Sequence, residues 1–79
     1  MTKHEAIAVI LSDKKSYNTS LNYAVNYCKA GLDMLEGSEE FEVQCLYILN
    51  NIQKWRHPQA KEVRKVLRST IKLRRLGYI

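Results

Sequence analysis

One proline and three isolated glycines are all that interrupt a chain of 79 residues in which apolar side chains recur every three or four positions. That spacing matches the 3.6-residue helical period, and so few breakers leave room only for long regular elements with few turns. An all-α fold follows: a small bundle of three to four helices with a central antiparallel helical hairpin and a basic C-terminal helix. At this length the chain makes one domain, 1–79, whose core supplies only a few kcal/mol of net stability. Apolar residues at 46% and charged residues at 27% argue against disorder.

Local signals place the helices. Thr2-Lys3-His4-Glu5 has capping-box spacing, with Ile7, Ile10 and Leu11 following at helical intervals, so a first helix is expected over about 3–13. A second is expected from about Thr19 to Leu35, capped by Asn18 or Thr19 and closed by Gly37. Its core stripe would be Leu21, Ala24, Val25, Cys28, Gly31, Leu32 and Leu35, flanked by a second stripe of Tyr23, Tyr27, Ala30 and Met34. Ser38 caps a third helix with Glu39 and Glu40 in its first turn, where carboxylates suit the positive end of the helix dipole. Phe41, Cys45, Ile48, Leu49, Ile52 and Trp55 form its buried face. The link Glu36-Gly37-Ser38 is short enough to fold the second and third helices into a hairpin.

Pro58 breaks the chain after Trp55-Arg56-His57 and opens a fourth helix, expected to run to about Leu76 with Gly77 as its stop. Ala60, Val63, Leu67 and Ile71 share one face. Lys61, Arg64, Lys65, Arg68, Lys72 and Arg75 share another arc of about 100°, and Arg74 falls on the apolar side. Residues 58–79 carry seven cations against Glu62, a net of +6; residues 1–57 carry six against seven acids, a net of −1, and the sum is the +5 of the chain.

Concentrated on one element, that charge points to a polyanionic partner. Lys and Arg are also good helix formers, and a solvated surface is the plainer explanation. Solvated faces usually mix signs, however, and like charges four residues apart cost a few tenths of a kcal/mol each. Nucleic acid, DNA or RNA, is the favoured partner, with an acidic protein surface as the rival. The contacts would be the six arc residues, with Arg56 and Arg74 at the margins. The arc lacks Asn and Gln, so little base preference is expected. The second class of function is a protein–protein module, homodimeric through Tyr23, Tyr27, Met34, Val43 and Tyr47.

Catalysis is not expected. His4 and His57 stand in different settings, and no Cys-x-x-Cys or His-x-x-x-His spacing would hold a metal. Cys28 and Cys45 fall on core faces, where thiolates are disfavoured. Glu36, Glu39, Glu40 and Glu42 surround a helix start and are explained by capping and solubility. There is no glycine-rich phosphate loop, and no cofactor is expected. No apolar run approaches the roughly 18 residues of a membrane span. The apolar patch Ala6 to Leu11 is flanked by Lys3 and Glu5 and lacks a cleavage site, so a secretory signal is not expected.

The stretch Leu21 to Ala30 (LNYAVNYCKA), followed by Val43 to Ile52 (VQCLYILNNI), Trp55-Arg56 and Ala60 to Leu67 (AKEVRKVL), resembles short uncharacterised all-helical accessory proteins of bacteriophages and prophages over about residues 20–67. The resemblance implies a phage-encoded protein of the host cytoplasm, binding nucleic acid or intercepting a host defence protein. It carries no functional residues to transfer.

Overall fold

The computed structural model describes the backbone of residues 1–77 and the side chains of residues 1–68. Over these, four α-helices form without any strand: α1 (Lys3–Ser12), α2 (Ala24–Leu32), α3 (Glu39–Asn50) and α4 (Ala60–Gly77), with a 3₁₀ turn at Lys14–Ser16. α1 packs on α2 and α4, and α3 packs on the same two, so the helices close into a ring around one core.

Each start has a local cause. Thr2 Oγ1 accepts from Glu5 N at 3.1 Å and Glu5 Oε1 accepts from Thr2 N at 2.7 Å, completing the capping box of α1. Ser38 takes an extended conformation and its Oγ accepts from Phe41 N at 3.2 Å, starting α3 with three glutamates in its first turn. At α4, His57 Nδ1 accepts from Gln59 N at 3.1 Å in the turn that follows Trp55.

The core is built as the periodicity requires. Ile7 and Ile10 of α1, Cys28 of α2, Phe41, Cys45 and Ile48 of α3, and Val63 and Leu67 of α4 are buried, as are Leu21, Ile52 and Trp55 outside the helices. Both cysteines are free thiols. Gly31 lets α1 and α3 approach α2 closely: a Cβ there would lie 3.2 Å from Ile7 Cδ1 and 3.6 Å from Ile48 Cδ1. Gln44 ties α3 to α2 by donating from Nε2 to Tyr27 O at 2.8 Å. None of the described helices is long and apolar enough to cross a membrane.

α2 departs from the sequence expectation at both ends. It begins at Ala24, because Thr19 Oγ1 donates to Ser16 O instead of capping a helix, and Thr19 N and Leu21 N also bond to that carbonyl. Short polar side chains here stabilise turns in competition with helix. It ends at Leu32, where Asp33 N and Met34 N close on carbonyls three residues back and the Met34 carbonyl accepts from His4 Nε2 at 2.9 Å. Gly37, at φ +86°, therefore makes a left-handed turn inside a longer link, 33–38, and does not close the helix. As a result Leu32 and Leu35, expected in the core, are 43% and 80% exposed.

Candidate functional site

The amphipathic pattern of α4 turns Val63 and Leu67 inward, and the remaining geometry follows from the helical repeat. Lys61, Lys65 and Arg68 stand on the opposite side and are exposed. None pairs with a carboxylate among the described residues. Glu62 is exposed on a flank of the same helix, about 80° or more from the centre of that edge. Lys72, Arg74 and Arg75 belong to α4 by backbone, but their side chains lie outside the described residues, as does Ile71 of the expected apolar face.

Arg64 differs from its neighbours. It sits where the cationic arc meets the buried face, is half-buried, and donates from Nη1 to Ile52 O and Trp55 O, both at 3.2 Å. Both carbonyls lie in the turn after α3, and that of Ile52 also accepts from Trp55 N at 3.1 Å. Arg64 thus ties the turn after α3 to α4, while its other guanidinium nitrogens make no hydrogen bond among the described residues. One member of the expected contact ribbon is therefore committed to the fold.

The corner between α3 and α4, residues 51–59, is fixed by Trp55. Its indole is buried, and its Nε1–H donates to Asp13 Oδ2 at 2.9 Å; Ser16 Oγ donates to the same oxygen at 2.8 Å. His57 stacks on the indole with centroids 5.1 Å apart. The indole N–H, then the Ser16 hydroxyl, holds the Asp13 carboxyl below its usual range. This bond spans 42 residues and brings the end of α1 to the end of α3. Lys14 and Lys15, exposed just after Asp13, thereby share one end of the bundle with exposed Lys54 and Arg56 and with the start of α4. Sequence reasoning did not place Lys14 and Lys15 in the basic surface, and no local signal reports so distant a contact. The opposite end of α3 is acidic: residues 33–42 hold Asp33, Glu36, Glu39, Glu40 and Glu42 and no Lys or Arg.

A second exposed feature lies on α2 and α3. The Tyr27 and Tyr47 rings face each other at 5.6 Å, and Tyr23, Val43 and Tyr47 are 74%, 45% and 48% exposed. Met34 does not join them. Its side chain packs against the core and its carbonyl is held by His4, which also stacks on Phe41 at 4.5 Å.

Burial pushes the Cys28 thiol up to about 12 and the Cys45 thiol up to about 11, so neither supplies a thiolate near neutral pH. Among the described residues, no three of His, Cys, Asp and Glu converge in a way that could hold a metal ion. No family model, curated protein or solved structure matches the chain. What the fold and its surface define is a class: a small all-α bundle with a cationic edge at one end and an acidic group of residues at the other.

Proposed function

We propose that this protein is a non-enzymatic nucleic-acid-binding bundle whose α4 edge contacts the phosphate backbone with little base preference. The observation that carries the reading is the row of exposed Lys61, Lys65 and Arg68, without a carboxylate partner among the described residues, on the outer side of a helix whose other side is locked into the core. Such a row costs repulsion in isolation and gains by replacing counterions on a polyanion. Arg56 and Lys54 extend it around the corner, and Lys72, Arg74 and Arg75 continue the cationic sequence along α4. An accessory role in a phage-infected host cell, in its cytoplasm, is the setting this reading fits.

The test is fluorescence anisotropy with labelled duplex DNA, single-stranded DNA and RNA. The Lys61→Glu/Lys65→Glu/Arg68→Glu variant should lose binding on all three while its circular dichroism and melting remain those of a folded helix bundle. Retained binding by the folded variant rejects the edge as the contact surface.

The exposed tyrosines favour a second reading, in which the α2–α3 face docks on a second copy or on a host protein. Tyr27→Glu/Tyr47→Glu would then abolish self-association or capture and leave nucleic-acid affinity unaltered, with mass measured by light scattering.

A further inference from the structure

Beside the exposed edge, the α3–α4 corner holds a concavity with different chemistry. It is an open depression of about 570 Å³ lined by Gln53, Lys54, Trp55, Arg56 and Arg64. That volume falls in the roughly 300–1,000 Å³ range of small-ligand clefts, but such clefts are mostly apolar. Here three of the five lining residues are cationic and none is acidic. A lining of that kind suits a compact oxyanion better than an apolar ligand.

The arrangement is also partly rigid. A guanidinium has five N–H donors. Arg64 uses Nη1 on the carbonyls of Ile52 and Trp55, which fixes the plane of the group and leaves the Nε–H and Nη2–H donors of that plane available. Donors held in advance in a planar fork match a phosphoryl group at low entropic cost. Gln53 likewise spends one amide N–H on Leu49 O at 3.2 Å, and so is oriented rather than free to rotate. Lys54 and Arg56, both exposed, supply mobile charge at the rim. The Asp13 carboxylate accepts from the Trp55 indole and Ser16, and it does not line the depression.

We propose that this corner is a phosphate-anchoring site, in which Arg64 grips a single phosphoryl group that Lys54 and Arg56 neutralise. It rests on the nucleic-acid reading above for the source of that phosphate. A strand seated there would run on along Lys61, Lys65 and Arg68, with its register set by the anchored group. Either an internal phosphodiester or a terminal phosphate monoester presents the chemistry, and free inorganic phosphate presents it in its simplest form.

The experiment is a ¹H–¹⁵N NMR titration of the full chain. The probes are inorganic phosphate and one short oligonucleotide carrying either a 5′-phosphate or a 5′-hydroxyl. Saturable shifts at the backbone amides of 53–56 and at Arg64 Nε–H are expected with phosphate. The Lys54→Gln/Arg56→Gln variant, altered only at exposed positions and checked for an unchanged melting curve, should bind phosphate at least tenfold more weakly. Tighter binding of the 5′-phosphorylated strand, with the same shifts, assigns a terminal monoester; equal binding with those shifts assigns a backbone phosphodiester. Shifts that spread evenly over the exposed lysines without saturating, or a double variant that binds as before, overturn the site. Two further outcomes separate it from the broader reading. Oligonucleotide shifts along α4 with a silent corner remove the site and leave the edge standing. Phosphate seated at the corner with no oligonucleotide binding at low salt keeps the site and removes the nucleic-acid reading.

Discussion

The two corners that join the last three helices are built in opposite ways. Between α2 and α3, residues 33–38 form a six-residue link whose main tie is a half-buried histidine: His4 donates to the Met34 carbonyl and stacks on Phe41, with Glu36 Oε1 3.8 Å from its other nitrogen. Leu35 in that link stands in solvent. Between α3 and α4, residues 51–59 wrap a buried indole whose N–H is satisfied by Asp13, and Arg64 closes the carbonyls behind it. The first corner is a surface connection. The second is part of the core, and it also gathers the cations of the proposed interface, so the proposed binding surface and the core meet at this end of the molecule.

The largest test of this contrast is Trp55→Ala. Removing a buried indole should cost about 3–5 kcal/mol, a large share of what so small a domain has, and chemical denaturation should show the chain largely unfolded or molten. A cost near 1 kcal/mol would mean that the corner is no more structural than its counterpart. Next comes Arg64→Ala, which takes a charged donor from two carbonyls and should cost about 1.5–3 kcal/mol. Lys61→Ala and Lys65→Ala, on the same helix and exposed, should stay within about 0.5 kcal/mol. Equal costs for all three would erase the distinction between Arg64 and the free edge.

A pH titration sharpens the same point. The hydrogen bonds from Trp55 and Ser16 lower the Asp13 carboxyl, and those from the backbone and side chain of Thr2 lower Glu5. A carboxyl lowered by folding contributes stability that is fully present above its unfolded pKa, about 4, and is lost as pH falls through the folded value. The melting temperature should therefore hold steady from neutral pH to about 4 and decline below it, and Trp55→Phe should blunt the decline by removing the first donor to Asp13. The smallest effect is expected at the other corner, where Leu35→Ser should change stability by no more than about 0.5 kcal/mol, measured by urea midpoint.

Much of the architecture was legible because it is local. Thr2-to-Glu5 and Ser38 announce their helices by side chains that reach only three residues, and buried Phe41, Cys45 and Ile48 of α3 and Val63 and Leu67 of α4 fall at helical spacing. α2 is shorter than its apolar spacing suggests because periodicity does not encode the competition that ends a helix. Leu32 and Leu35 sit at core spacing, yet the His4–Met34 bond, 30 residues apart in sequence, stabilises a turn there instead. Of the candidate site, the exposed row on α4 was readable from helical spacing. The inward use of Arg64 was not, since it depends on where the turn before α4 places the Ile52 and Trp55 carbonyls. Lys14 and Lys15 joined the basic end only through the Asp13–Trp55 bond, a contact that no pattern along the chain encodes.

The measurement that bears most directly on the central claim is the salt dependence of affinity for a short duplex or single strand, read by anisotropy between low and physiological salt. Lys54, Arg56, Lys61, Lys65 and Arg68 acting together on phosphates predict that log K falls linearly with log salt, with a slope of about −3 to −5. A flat line, or no detectable binding at the lowest salt, would contradict the account.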